Sequence, residues 1–407
     1  MHRPRILFVN RSYWPDSEAT GQLLTELCEA LADSFEVHVL VGAPNATIGT
    51  ADWQGVEHRN GVQIHRVSHT RFSKGSLPLK AFNFISFAVA CRRRILQLPT
   101  PDVVVFETDP FLLPFVADRL HRKANVKMVG YLQDVYPDIA VALGKIKDRR
   151  WVRWLRSKMF GVYSRCEAMV VLSEDMKALL TGGGINPRQV EVIPNWADSE
   201  AIKPVEGENQ FRADNGFREK FLIMYSGNLG LTQRLEDFVL AAKELSFDPD
   251  IAFAFIGRGA RKSELQDMVA KLGLSNVSFF DYQPRSELCQ SLSAADLHLI
   301  PLTAELSKCL MPSKLYGVLA AGSPYLTNAL PGSDLHRITV ENEVGLTIPP
   351  SDIPAIVKAI SELKANPQCQ SRMRKNARQV AVTRFTKEKS ILQFRGLLQR
   401  LTSVSEV

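Results

Sequence analysis

The sequence has no run approaching the roughly 18 apolar residues that a membrane-spanning helix needs. Its most apolar long segment, AFNFISFAVAC from Ala81 to Cys91, is interrupted by Asn83 and Ser86. The six cysteines, Cys28, Cys91, Cys166, Cys289, Cys309 and Cys369, are scattered and form no Cys-x-x-Cys pair. That argues against a zinc site or a disulfide framework and for reduced thiols in a cytosol. No zinc-finger, RRM or KH signature is present, so nucleic acid is the weakest reading of the positive charge. Short internal repeats and low-complexity stretches are also missing, which excludes a solenoid. The start, MHRPRILFVNRSYW, has only four apolar residues in a row. That is too few for the core of a signal peptide, and it reads as a first strand.

What is present is ordinary in bulk and patterned in detail. The 407 residues are 45% hydrophobic and 23% charged, with a formal charge of +7 and a pI near 9.0. Length alone suggests two or three domains. The charge fits an anionic small substrate or an anionic membrane surface.

Strand and helix alternate along the chain. In the first half the strand candidates are ILFVN, EVHVLVG, DVVVFE, VKMVGYL, AMVVLS and VEVIPN. Most are continuous Val- and Ile-rich runs, the pattern of strands buried on both faces. Amphipathic segments lie between them, so a parallel sheet with helices on both sides is expected. The stretch 197–220 is polar and reads as a linker. A second series then follows: FLIMYSG, IAFAFIG, VSFFDY, LHLIPL, PYLTNA and VGLTIPP. Asp352 is expected to cap the helix after it, with Pro354 tolerated in the first turn. The fold class is α/β: two doubly wound Rossmann-like domains facing a central cleft, with ligands at the carboxyl ends of both sheets. The expected bounds are 1–197, 198–385 and a last helix over 386–407.

Several loops could carry chemistry. Gly21, at the mouth of a helix, either lets a substrate approach the backbone or serves a turn. Asp134 follows a buried strand and either accepts a proton or holds a hydroxyl, or it caps the next turn. Glu107 and Asp109 read as a strand-end turn, since two carboxylates make a poor case for a metal. Gly227 and Gly230 flank Asn228 where the second series opens, and would admit a phosphate or sugar. Arg234 reads as a solvated helix residue beside Glu236 and Asp237. Arg258, Arg261 and Lys262 form a basic turn that faces either a nucleotide or water.

The stretch SKCLMPSKLYGVLAAGSP, from Ser307, poses a sharper problem. Ser313 sits where an N-cap belongs, yet Lys314 lies in the first turn, where the helix dipole disfavours a cation. A diphosphate beside Lys314 and the free N–H groups after Ser313 would remove the conflict. The segment 145–165 carries eight Lys or Arg against one acid, Asp148, with Trp151 and Trp154 interleaved. It reads either as a basic amphipathic helix for an anionic membrane surface, with Arg92, Arg93 and Arg94 adding to it, or as an ordinary helix packed on the sheet with solvated charges; the first reading is preferred.

IPNWAD at 193–198, YSGNLG at 225–230 and PSKLYGVLAAGSP at 312–324 together resemble the family-4 retaining glycosyltransferases of the GT-B fold. The likeness is closest to the colanic-acid, O-antigen and exopolysaccharide branch. The resemblance implies a nucleotide-sugar donor on the C-terminal domain and a saccharide or lipid-linked acceptor on the N-terminal domain. It implies retention of configuration, no metal and no cofactor, and work in the cytoplasm, with peripheral attachment to the inner face of the plasma membrane. Gly21 matches the family's glycine loop and Asp134 its acidic cleft position, with Gln133 in place of the frequent His or Arg. Asn195 matches an interdomain position. On this basis Asp134 and Lys314 are the catalytic candidates. Gly21, Gly227, Asn228, Arg258, Ser313, Lys314 and Glu305 are the donor-binding candidates. The family's paired glutamates fall at Cys309 and Gly317, and its second-domain Arg and Lys at Asn228 and Gln233. Glu305 is then the nearest carboxylate. A non-catalytic nucleotide-sugar or glycan binder and a nucleotide-sugar epimerase are the competing readings.

Overall fold

A computed structural model describes residues 3–16, 18–44, 56–72, 77–230 and 233–403. The chain divides into two compact units, 1–194 with 390–407, and 195–389. Loop residues 231–232, inside the second glycine-bearing stretch, lie outside the described residues.

The first unit holds β1 (Arg5–Val9), β2 (Glu36–Gly42), β3 (Val56–Arg59), β4 (Val62–Val67), β5 (Val103–Phe106), β6 (Lys127–Tyr131), β7 (Ala168–Val171) and β8 (Val190–Val192). They form one sheet in the order β3-β4-β2-β1-β5-β6-β7-β8. Every pairing is parallel except β3 with β4. The continuous apolar runs lie where the sheet is covered on both faces; all four residues of β5 are buried. The β3–β4 hairpin is absent from the sequence reading. Its turn is Asn60–Gly61, both with positive φ (43° and 80°), the conformation that the Asn-Gly pair favours between strands.

The helix Lys387–Thr402 completes this unit from Ser390 onward. Phe394 packs on Phe8 and Tyr131, with centroids 6.3 and 5.1 Å away. Arg395 donates to the Ala30 carbonyl at 2.9 Å, and Ser390 Oγ to that of Pro194 at 2.8 Å.

The second unit holds β9 (Phe221–Ser226), β10 (Ile251–Ile256), β11 (Val277–Phe280), β12 (Leu297–Leu299), β13 (Tyr325–Thr327) and β14 (Gly345–Thr347), in the order β11-β10-β9-β12-β13-β14. All of its pairings are parallel. Asp352 caps its helix as expected, accepting from Ala355 N at 2.9 Å. The expected linker needs correction. Within 197–220, Gln210–Asp214 is a helix capped by Asn209, and Phe211 and Phe217 are buried against Phe280. Arg212 reaches Asp296 at 3.0 Å. Two aromatics in a polar stretch are enough to anchor it, because each buries a large apolar area.

Candidate functional site

In each sheet the strand order reverses once: between β1 and β5 in the first unit, and between β9 and β12 in the second. The loops leaving adjacent strands diverge there, which opens a crevice at the carboxyl ends. Of the sequence-predicted residues, Gly227 and Lys314 meet at the second of these places, whereas Asp134 follows β6 and Arg258 follows β10, each one strand away from a reversal.

In the second unit, β9 runs into Gly227, whose φ of +150° lies where side chains are rarely held. A Cβ on Gly227 would lie 3.2 Å from Lys314 Nζ. The next loop over crosses it backbone to backbone, and a Cβ on Gly257 would fall 1.9 Å from the Gly227 oxygen. Tyr225 O–H donates to the Asn228 carbonyl at 2.8 Å, which fixes the ring. The Lys314 ammonium lies 3.7 Å from the centroid of that ring.

Lys314 is half-buried along its stem, but Nζ is shielded from water and has no hydrogen-bond partner. Burial pushes its pKa down to about 7. The cation–π contact offsets about 2 kcal/mol when desolvated, whereas removing an ammonium from water costs several. The arrangement leaves a positive charge in want of an anion.

The other expected donor contacts are placed differently. Ser313 is exposed, has helical dihedrals (φ −58°, ψ −29°) and makes no side-chain cap. An N-cap hydroxyl reaches the free N–H groups from extended backbone, so the expected cap is not formed. The helix that follows is only Lys314–Ala320. Asn228 is exposed. Arg258 is also exposed and pairs with Asp281 at 3.3 Å, which Lys262 also holds at 2.7 Å. These two cations keep the Asp281 carboxyl below its ordinary range. Arg234 pairs with its neighbour Asp237 at 3.1 Å. Glu305 is exposed on the short helix Ala304–Ser307. Where the resemblance places glutamates, Cys309 is buried and a Cβ on Gly317 would touch Leu292 at 3.3 Å.

In the first unit the crevice is rich in acids. Arg11, just past β1, holds Asp109 at 2.8 Å and Glu18 at 3.2 Å. Glu107 is fully buried, and burial followed by the Asp109 charge pushes its carboxyl up, against an opposing contact from Gln133. Asp134 follows β6; burial, then the Asp109 charge, raise its pKa to about 7, with Lys145 opposing. It caps nothing. The next helix, Asp138–Ala142, starts from Pro137, and the Asp134 backbone N–H donates to Thr108 Oγ1 at 3.3 Å.

Gly21 does not offer open approach to a substrate. It is buried in the helix Ala19–Leu31, and a Cβ there would meet Ser12 at 3.2 Å. Its bareness serves the packing of the β1 loop.

His69 escaped the sequence reading. Its Nδ1 lies 2.8 Å from the Thr70 carbonyl, and its buried Nε2 has no partner. Burial holds its pKa below the ordinary value, and Asp109 and Arg11 both act on it electrostatically. The only signal would have been its place just beyond the overlooked hairpin.

Two family models match consecutive parts of the chain: Glycosyltransferase Family 4 over residues 20–201 and Glycosyl transferases group 1 over 207–380. The chain is 32% identical to the Pseudomonas aeruginosa protein named probable glycosyltransferase WbjE, across 64% of this chain and 66% of that one. It is 23% identical to Escherichia coli WcaI, named for colanic acid biosynthesis, across 96% and 98%. Among solved structures, sucrose-phosphate synthase from Thermosynechococcus elongatus superposes with a TM-score of 0.79 at 18% identity, covering 98% and 99% of the two chains. Anabaena HepE, solved with UDP-glucose, gives 0.74 at 16% identity, covering 97% and 99%. With both halves matched in order and the sheets of both units in Rossmann-like form, the chain belongs to the group 1/family 4 glycosyltransferase superfamily of the GT-B fold.

Proposed function

We propose that this chain is a retaining glycosyltransferase that moves a sugar from a nucleoside-diphosphate donor to a saccharide or lipid-linked saccharide during cell-surface polysaccharide assembly. It would act on the cytoplasmic side of the membrane. No helix among the described residues is long and apolar enough to cross a bilayer. The observation that carries the reading is the buried, unpartnered Lys314 ammonium at the reversal point of the second sheet. A donor diphosphate there would pair with the ammonium and restore its charge. The same contact strengthens as negative charge grows on the leaving phosphate, so it lowers the barrier as well as holding the donor. In the first unit Asp134, with a pKa near 7, is suited to orient an acceptor hydroxyl and take part in its deprotonation. HepE's complex with UDP-glucose and WcaI's name support the donor class and the polysaccharide setting.

The decisive experiment is calorimetric titration with UDP and other nucleoside diphosphates, comparing the native chain with Lys314→Ala. Equal affinity in both would remove Lys314 from the donor site. A binder without transfer activity is the second reading, favoured by the lack of carboxylates at Cys309 and Gly317. Donor binding with neither transfer nor donor hydrolysis would select it.

A further inference from the structure

The helix Leu77–Arg94 of the first unit is apolar on two sides. One side is packed: Phe87 and Cys91 are buried, Phe84 meets Phe111 edge-on at 6.2 Å, and Phe87 meets His69 at 5.2 Å. The polar residues that interrupt its apolar run fasten the preceding chain. Asn83 exchanges two 3.0 Å hydrogen bonds with the Phe72 backbone, and Ser86 Oγ accepts from Thr70 N at 3.1 Å. The other side carries Phe82, Ile85 and Val89, spaced three and four residues apart, and faces solvent. The helix Arg150–Tyr163 repeats the arrangement, with Val152, Met159 and Val162 inward and Trp151 and Trp154 outward. These five outward side chains are 44 to 62% exposed. Both helices pack against the helix Leu113–Ala124, which joins them in one layer.

The charge is equally uneven. The first unit has 27 Lys and Arg against 20 Asp and Glu; the second has 23 of each. The whole excess of seven positive charges lies in the unit that bears the exposed apolar residues. Arg92 and Arg93 close the first helix, and Lys147, Arg149, Arg150 and Arg153 surround the tryptophans; all six are exposed. Single exposed apolar side chains are ordinary. Two helical stripes of them, set among cations in one layer, fit a surface that is apolar beneath and anionic above.

We propose that helices Leu77–Arg94 and Arg150–Tyr163 form a docking face for an anionic lipid bilayer. Phe82, Ile85 and Val89 enter the boundary between headgroups and acyl chains. Trp151 and Trp154 sit at headgroup level, and the cations hold lipid phosphates. This face concerns the partner of the first unit and stands whether or not sugar transfer is demonstrated.

The test is co-sedimentation of the full chain with vesicles of phosphatidylcholine, alone or mixed equally with phosphatidylglycerol, at low and high salt. The chain should bind the mixed vesicles, and bind the neutral ones at least about tenfold more weakly, with salt reducing the difference. Phe82→Ser with Ile85→Ser and Val89→Ser, and separately Trp151→Ser with Trp154→Ser, should each cut partitioning about tenfold. Arg150→Glu with Arg153→Glu should cut it further, at about fivefold or more per cation. Phe247→Ser, an exposed site in the second unit, should leave binding unchanged. The changes lie on two helices at exposed positions, so one set reports if another fails to fold. Absence of binding to the mixed vesicles, or equal binding by all variants, would overturn the proposal. So would a self-association in gel filtration that the same substitutions abolish while vesicles go unbound, which would assign the face to a protein partner.

Discussion

The two units share a doubly wound plan and carry candidate groups at or beside the reversal of strand order, yet with opposite chemistry. In the first unit Asp109, paired with Arg11, acts on two further carboxyls, Glu107 and Asp134, and burial with the Asp109 charge pushes both toward the protonated form. In the second the notable charge is one desolvated ammonium over a tyrosine ring. The backbone plan thus fixes where ligands can approach, and the side chains decide what is welcome. A carboxyl raised to about 7, that of Asp134, suits hydroxyl and proton handling. A bare cation suits a phosphate.

The largest effect that would break this contrast comes from Gly257→Ala. A methyl group 1.9 Å from the Gly227 oxygen, at a φ of +143°, must part the two loops. Urea unfolding should show a loss of roughly 3 kcal/mol or more in the second unit. A loss below about 1 kcal/mol would mean that the loops are not so closely apposed. Next, Lys314→Ala should weaken UDP binding at least about tenfold, or about 1.4 kcal/mol; calorimetry measures this directly.

The pH dependence sharpens the same point. The free enzyme's Lys314 is lowered to about 7, so above that pH it is largely neutral, and binding a diphosphate must take up a proton. UDP affinity should therefore fall as pH rises from about 7 to 9, and Lys314→Ala should flatten that slope. In the absence of ligand the sign reverses for stability. The cost of the buried ammonium is fully present below about pH 7 and is relieved as pH rises toward the ordinary lysine value.

For Asp134 the raised pKa means that the native state prefers the protonated carboxyl. Its contribution to stability declines from the ordinary aspartate range up to about pH 7. If the ionised form assists transfer, kcat/KM should rise through about pH 7, and Asp134→Asn should lose that limb along with about a hundredfold in rate. The smallest change is expected from Arg258→Ala, under about threefold in UDP affinity, because the guanidinium is solvated and already paired with Asp281. An effect as large as that of Lys314→Ala would move the donor's charge toward the basic turn.

Much of the architecture is legible in the sequence. The twelve strand candidates all fall on strands; most are near-continuous apolar runs, because the strands inside each sheet are covered on both faces. The hairpin β3–β4 was overlooked although Asn60–Gly61 marks it, since its exposed strand Val56–Arg59 lacks the buried-strand signature. The polar stretch 197–220 concealed Phe211 and Phe217, whose burial depends on Phe280, a residue far along the chain.

The sequence by itself determined the two α/β units, the reversal-point loops and the oddity of a lysine at the head of a short helix. These follow from local periodicity and backbone preference, which neighbouring residues settle among themselves. Only the tertiary structure decided that Lys314 is desolvated over Tyr225, that Arg258 is neutralised by Asp281, that Gly21 is filled by Ser12, and that His69 joins Asp109 and Arg11. Electrostatic character depends on burial and on partners brought together from distant positions, and a linear pattern does not encode either.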